Sequence, residues 1–161
     1  MINNLDKLDG QILEILEGNA RAQNSELAKE LNMVPSGIWE RVKKLEESGI
    51  IKGYSTVINP YHLGFKFFAY VNIKVDSANW SSDFSRQIES IENVEELHEV
   101  LGEDSYLAKV RAKDMDDLSE ILKNQIGAIE QVKSTKTTIV TKTLKGNSPL
   151  INENLINELE N

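Results

Sequence analysis

Apolar residues recur at three- and four-residue intervals through the first third of the chain, the spacing of one buried helix face. A first helix is predicted over residues 7–17, with Asp6 as its N-cap. Its apolar face consists of Leu5, Leu8, Ile12, Ile15 and Leu16. Two further stripes, one formed by Leu27, Ala28 and Leu31 and the next by Ile38, Val42 and Leu45, predict a second and a third helix.

The connections between these helices are also visible in the sequence. Pro35 suits the first turn of the third helix, where a missing N–H costs nothing, and Gly49 suits its end. Small Ala28 allows the second and third helices to cross closely. The pattern therefore predicts a helix-turn-helix, and Ile50 and Ile51 begin a strand over residues 51–58 that makes it a winged version.

From residue 65 to 75 the pattern changes to strict alternation, as in a strand with one buried face. One face consists of Phe67, Ala69, Val71, Ile73 and Val75, and the other of Phe68, Tyr70, Asn72 and Lys74. Two helices are predicted near 83–91 and 115–129, the second burying Met115, Leu118, Leu122 and Ile126. Strands are predicted near 95–101, 106–112 and 132–142. The order β-α-β-β-α-β predicts a ferredoxin-like domain.

The fold class is therefore α+β, with four segments: a winged helix-turn-helix (1–53), a strand and linker (54–64), a ferredoxin-like domain (65–145) and a tail (146–161). Phe68 and Tyr70 lie on the opposite strand face from the Val71 row, and the domain's own helices cover only one face of the sheet. A partner sheet, and hence a dimer, is expected to cover the other. In the tail, Ile151, Leu155 and Leu159 are spaced for a short helix that docks on a neighbour, or else the terminus is frayed.

Charge changes this picture, because nucleic-acid binders are usually basic and this chain has a net charge of −8. Residues 1–60 contribute nine acidic and seven basic side chains, so most of the excess acid lies in the second half. A single copy would neutralise few phosphates and bind DNA weakly at physiological salt. Specific binding is therefore expected to need a homo-oligomer.

Composition also excludes several classes of protein. No apolar run approaches the ~20 residues of a membrane span, and no secretory leader opens the chain, so a cytoplasmic protein without a membrane partner is expected. The absence of cysteine excludes disulfides, thiol catalysis and cysteine-ligated metals. The two histidines, His62 and His98, argue against a histidine-rich metal site. Because no paired acid–base constellation is visible, neither a cofactor nor enzymatic activity is expected.

The third helix has the surface of a DNA reader on the side opposite its buried stripe. Its start is short or polar, which suits base contact, and its end is basic, which suits phosphate contact. The candidate DNA-contacting residues are Arg21, Pro35, Ser36, Gly37, Trp39, Glu40, Arg41, Lys43 and Lys44.

Several of these residues have alternative roles. Lys43 and Lys44 contact phosphate or are simply solvated. Arg41 reaches either phosphate or a carboxylate of the first helix, Glu14 or Glu17. Arg21 contacts phosphate or caps a neighbouring helix. Trp39 packs against the groove wall or against its own wing, and Glu40 either accepts from a cytosine amine or repels wrong sites.

Nearly the whole chain, from about residue 5 to 145, resembles the leucine-responsive regulatory protein/AsnC family, the feast-famine regulators. The resemblance rests on LDKLDGQILEILEGNAR (5–21), ELAKEL (26–31), ERVKKLEESGIIKGYSTVINPYHLG (40–64) and VKSTKTTIVTKTLK (132–145). It implies a transcriptional regulator that assembles from dimers, often into octamers. It also implies double-stranded DNA as a partner of the N-terminal unit. The implied effector is an amino acid or a related small metabolite, bound between C-terminal domains.

Two positions depart from the pattern of that family. Val34 stands where a serine usually caps the recognition helix, which removes about 1 kcal/mol of helix stability, and Gly37 in the first turn adds a similar cost. The family's effector loop reads Gly-x-x-Asp followed by an aromatic, whereas this chain has Gly102, Glu103, Asp104, Ser105 and Tyr106. These five are the candidate effector-binding residues, although their composition also suits a simple β-turn.

Two other functions remain open at this point. One is an architectural DNA-binding protein that senses no effector. The other is an enzyme, because proteins similar to this family act as sirohaem decarboxylases and His98 is a conceivable proton donor.

Overall fold

The computed structural model describes residues 5–76, 82–146 and 150–159. For residues 82, 153 and 154 it describes the backbone alone. The chain forms two compact units. Of the described residues, 5–57, 145–146 and 150–159 form the first unit, and those of Ile58–Leu144 form the second.

The N-terminal unit contains three helices, α1 (Lys7–Gly18), α2 (Asn24–Glu30) and α3 (Pro35–Glu47). Asp6 is the N-cap of α1, as predicted, and its side chain accepts from the Asp9 N–H in a capping box. The buried core of this unit consists of Ile12, Leu13, Leu16, Leu27, Ala28, Ile38 and Leu45. The predicted stripes of all three helices therefore meet in one cluster.

The turn between α2 and α3 has the geometry that its sequence requires. Asn32 takes a left-handed φ of 51°, which an asparagine tolerates better than most residues. The Met33 N–H then donates to the Ala28 carbonyl at 2.8 Å, which ends α2. Val34 provides no side-chain cap, as predicted, and Pro35 begins α3. Gly49, with a φ of 74°, terminates the helix region.

The prediction of a strand over residues 51–58 is wrong. Residues 52–59 have no regular structure, and the described part of the N-terminal unit contains no strand. A strand exists only when its backbone pairs with another strand. Local β propensity alone therefore produced no wing strand in this segment.

The C-terminal unit begins with a short 3₁₀ turn, Pro60–Leu63, and contains the predicted element order. Its elements are β1 (Phe67–Val75), α4 (Ser82–Glu89), β2 (Val94–Glu99), β3 (Tyr106–Ala112), α5 (Met115–Glu120) and β4 (Val132–Ile139). The four strands form an antiparallel sheet in the order β2-β3-β1-β4. The ferredoxin-like arrangement is confirmed, with strand β3 at the predicted bounds and β2 and β4 shorter than predicted.

The inner face of this sheet packs against the helices. Residues 69, 71, 73 and 75 of β1 alternate as predicted and join Phe84, Ile88, Leu118, Ile121 and Ile126 in the core. The opposite side chains of β1, including Phe68 and Tyr70, lie on the outer face.

The second helix of this unit differs from the prediction. It is α-helical only to Glu120 and continues as a π-helical turn, Ile121–Ile126. Met115 is exposed rather than buried, and Ile121, which was not predicted, is fully buried. Because a π turn repeats every five residues in its hydrogen bonds, Ile121 and Ile126 come to the same inner face.

Gly127 ends this π turn and offers a stability test. Its N–H donates to the Leu122 carbonyl at 2.9 Å, and a Cβ at position 127 would lie 2.8 Å from that same oxygen. Because a backbone oxygen cannot move without losing its bond, we expect Gly127→Ala to destabilise the C-terminal unit by about 1–3 kcal/mol. Calorimetry measures this, with Gly18→Ala as control, since nothing lies within 4 Å of a Cβ there. Equal unfolding temperatures for the two variants would contradict the expectation.

The tail forms a short helix, α6 (Glu153–Glu158), which contacts α1 of the same chain. Asn152 is its N-cap and accepts from the Leu155 N–H. Ile156 is buried, with 7% of its surface exposed. The predicted tail helix is therefore present, and in this chain it docks on the chain's own N-terminal unit.

Candidate DNA-binding and effector sites

The outer face of α3 is exposed along its length. Ser36, Glu40, Lys43 and Lys44 are all exposed, and Trp39 is 53% exposed. The Lys43 ammonium lies 5.1 Å above the Trp39 ring and 3.7 Å from the Glu47 carboxylate. Trp39 therefore stands at the surface beside a cation, so its flat ring and the two lysines can all reach a ligand placed against α3.

Arg41 points the other way, towards α1. Its Nη1 donates to Asp9 at 2.7 Å and to Asp6 at 2.8 Å. The predicted pairing with the first helix is confirmed, but its predicted partners, Glu14 and Glu17, are wrong. These lie a turn or more further along α1, whereas its first turn faces Arg41.

Asp9 is the buried member of this cluster, with 4% of its side chain exposed. The hydrogen bond to Asp9 contributes most to raising the pKa of Arg41. Burial raises the pKa of Asp6, but hydrogen bonds from the Asp9 N–H and from Arg41 outweigh it, so this pKa lies below its ordinary value of 3.8. The cluster therefore holds α3 on the first turn of α1 by charge.

The remaining DNA candidates lie just before α2 and in the first turn of α3. Arg21 is exposed in the turn after α1, where its N–H donates to the Asn19 side chain at 3.1 Å. Pro35 is exposed at the start of α3. Gly37 lies in the first turn, where a Cβ would lie 3.3 Å from the Met33 side chain.

The predicted effector loop divides into a buried and an accessible part. Ser105 is buried, and its N–H donates to the Ile73 carbonyl at 3.0 Å while its Oγ accepts from the Val75 N–H at 3.4 Å. Tyr106 is also buried, with its ring 5.0 Å from that of Phe84. Both residues therefore fasten the loop to the sheet and its helices.

Gly102, Glu103 and Asp104 form the accessible part. Gly102 has a φ of 154°, a conformation that favours glycine, and the adjacent Leu101 is fully exposed. Glu103 is exposed and Asp104 is half-buried. Two carboxylates thus stand beside an exposed apolar side chain at the end of the β2–β3 hairpin.

Two family models cover most of the chain. Residues 5–52 match a winged helix-turn-helix DNA-binding model, and residues 68–150 match the Lrp/AsnC ligand binding domain. The transcriptional regulator FL11 of Pyrococcus furiosus is 36% identical over 91% of this chain and 95% of its own length. Regulatory protein AsnC of Escherichia coli is 36% identical over 84% of this chain and 90% of its own.

The chain belongs to the Lrp/AsnC family. It is a DNA-binding transcriptional regulator with the two-domain fold of that family. The structure of E. coli AsnC superimposes with a TM-score of 0.85 at 34% identity and covers 90% of this chain and 97% of that one. A feast or famine regulatory protein of Mycobacterium tuberculosis, solved in complex with L-methionine, also gives 0.85, at 32% identity over 92% and 99% of the two chains.

The outer sheet face of this Lrp/AsnC protein carries a row of paired charges that the sequence analysis did not predict. Glu95 and Glu96 on β2 face Lys109 and Arg111 on β3, and Phe68 lies beside both cations, at 5.7 Å and 5.4 Å. Arg111 binds both oxygens of Glu95, and Lys109 donates to Glu96 at 2.8 Å. The hydrogen bond from Arg111 lowers the pKa of Glu95. The alternation of buried and outward side chains along β3 could have predicted from the sequence that Lys109 and Arg111 share this face.

His98 is exposed, with Nε2 3.4 Å from the Glu96 carboxylate. Across the described ranges, no three His, Asp or Glu side chains are grouped to hold a metal ion. Among the helices described, none has the length and apolar character needed to cross a membrane.

Proposed function

We propose that this regulator reads DNA with α3 in the major groove and responds to an amino acid bound by its C-terminal domain. The exposed face of α3 carries this proposal, with Trp39, Lys43 and Lys44 presented outward. An outward basic end suits phosphate contact, and the short residues Ser36 and Gly37 leave space for base edges near the helix start.

Arg41 acts as a positioning residue in this proposal, not as a phosphate contact. Its Nη1 is shared between two carboxylates of α1, one of them buried. Pairing of this kind sets the angle between α3 and α1. The phosphate contacts are assigned to Lys43 and Lys44, with Arg21 at the turn after α1 as a third, and Glu40 selects against wrong sequences.

The DNA-bound form is a homo-oligomer, built from dimers and often an octamer in the family that the sequence resembles. A net charge of −8 makes a single copy a weak DNA binder, so several helices must act together. The outer sheet face supports dimerisation, because it presents Phe68 and the 37% exposed Tyr70 among paired charges. A second copy of the same face would cover these rings and match the charges. The protein acts in the cytoplasm and without catalysis.

The amino-acid effector binds at the accessible part of the loop, residues 102–104. Asp104 is the group assigned to the effector ammonium, because Ser105, at the family's aspartate position, is held in the sheet. Support comes from the related M. tuberculosis regulator, which is described in complex with L-methionine. In one chain the loop supplies only part of a site, and a neighbouring domain would complete it.

Sedimentation of the protein alone and with each of the twenty amino acids, followed by DNA retardation on its own promoter, tests this function. A change in assembly or DNA affinity with one amino acid is the expected result. DNA binding that ignores all twenty would indicate an architectural role, and no DNA binding in any oligomeric state would overturn the proposal.

The effector assignment has its own variant. We expect Asp104→Asn to weaken binding of the responding amino acid at least tenfold, because an ammonium loses its charged partner. Glu103→Gln is the matched control, since it removes the same charge from the neighbouring exposed position. Isothermal titration measures both. If the two variants bind the amino acid equally, Asp104 is not the ammonium ligand.

A further inference from the structure

The tail docks on α1 through a specific set of contacts. Both oxygens of the Glu17 carboxylate are used, one accepting from the Leu150 N–H at 2.6 Å and the other from the Ile151 N–H at 2.8 Å. These bonds satisfy two backbone donors directly before α6. A carboxylate that binds two successive N–H groups fixes the direction in which the chain enters the helix.

The helix itself fits against a glycine. A Cβ on Gly10 would lie 2.9 Å from Cδ1 of Leu159 and 3.4 Å from Cγ1 of Ile156. Glycine is unfavourable inside a helix, and here its lack of a side chain makes room for two side chains of α6. Gly10 is buried in α1, and so is Leu13, which the predicted stripe did not include. The docked tail therefore accounts for a glycine inside α1.

The helix α6 cannot be stable alone. It has six residues, well below the length at which isolated helices persist in water. Its folding must therefore be coupled to docking on α1. The family's ligand-binding model ends at residue 150, so α6 lies beyond the part of the chain that this model describes.

We infer that residues 150–159 form a tail strap, an internal ligand of α1 that folds on docking and stabilises the DNA-binding unit. The chain leaves this unit after residue 57 and returns to it at residue 145. A docked strap therefore joins the ligand-binding domain to the DNA-binding unit by a second connection. Docking and stabilisation do not depend on the proposed function.

A disulfide tests whether the strap docks within one chain, because the protein has no native cysteine. A Cβ at position 10 would lie 4.0 Å from Cα of Ile156, which puts the two β-carbons within disulfide range. In the full chain, Gly10→Cys/Ile156→Cys should oxidise to a single-chain species with altered mobility on a non-reducing denaturing gel. Gly18→Cys/Ile156→Cys is the control and should remain reduced. A covalent dimer would show that a second copy donates the tail, and no cross-link would overturn docking; either result refutes the inference.

Hydrogen exchange tests stabilisation. In a chain that ends at residue 149, the amides of Ile12, Leu13 and Leu16 should exchange about tenfold faster than in the full chain. In the full-length Gly10→Cys/Ile156→Cys variant, the same amides should exchange more slowly when the disulfide is closed than when it is reduced. Unchanged exchange in the truncated chain overturns the strap. Both measurements are made without DNA, so a protein that fails to bind DNA can still confirm the strap, and a failed strap leaves the DNA-binding proposal intact.

Discussion

Replacing Lys43 and Lys44 together by alanine is expected to weaken DNA binding at least tenfold on every sequence and to flatten its dependence on salt. Both side chains are exposed at the basic end of α3, and the lysine charges are assigned to phosphates. The slope of log K against log salt is negative, and each lost phosphate contact reduces its magnitude by about 0.9, so the loss of two contacts per bound subunit reduces it by about 1.8. Fluorescence anisotropy at several salt concentrations, on promoter and unrelated DNA, measures both quantities.

The matched control removes two positive charges elsewhere. Lys142→Ala/Lys145→Ala lowers the net charge equally at exposed positions outside α3. This control should change affinity only slightly and leave the slope near that of the unaltered protein. If it matches the α3 variant, the general field of the protein dominates binding, and α3 is not the DNA-contacting helix.

Arg41→Ala is expected to destabilise the DNA-binding unit by about 2–3 kcal/mol. The substitution leaves the Asp9 carboxylate, 4% exposed, without its cation. Removing one member of a buried pair typically costs about 3–5 kcal/mol, and the lower figure here reflects a guanidinium that is about one third exposed. Urea unfolding followed by helical circular dichroism measures the change.

Asp9→Asn in the Arg41→Ala background separates pairing from packing. It removes the unpaired charge, so the double variant should recover part of the lost stability. A double-mutant cycle then gives the coupling between the two residues. If Arg41→Ala leaves unfolding unchanged but weakens DNA binding as the lysine pair does, Arg41 is a phosphate contact and its positioning role is wrong.

The elements that the sequence predicted well are those with strong local patterns. The N-cap at Asp6, the Pro35 start of α3 and the alternation in β1 depend on residues within one or two turns of each other, and all three are confirmed. The predicted strand at 51–58 failed because strand formation depends on a pairing partner, which local propensity does not contain. The sequence analysis also missed the π turn at Ile121–Ile126. In the sequence, apolar residues spaced five apart look like an irregular version of the three- and four-residue spacing of an α-helix.

For the candidate site, sequence periodicity was enough to place Lys43 and Lys44 outward, but not to find the partners of Arg41. The first helix and its N-cap together offer four acids, and only the crossing angle of α1 and α3 brings Asp6 and Asp9 within 2.8 Å of Arg41. Likewise, loop composition could not show that Ser105 is hydrogen-bonded to β1 while Asp104 remains accessible. Both outcomes depend on contacts between residues thirty or more positions apart.

The sequence by itself determined the two-domain α+β architecture and the family. Helix and strand periodicity and short motifs involve residues close together in the chain, so they can be recognised before the packing is known. Only the tertiary structure decided where the tail goes. A six-residue helix is not stable by itself, and this one packs against Gly10 of α1. The tertiary structure also decided that Arg41 pairs with Asp6 and Asp9 of the first helix instead of facing outward with the lysines. Local patterns specify which face of an element is apolar, and packing specifies which charges and glycines meet across it.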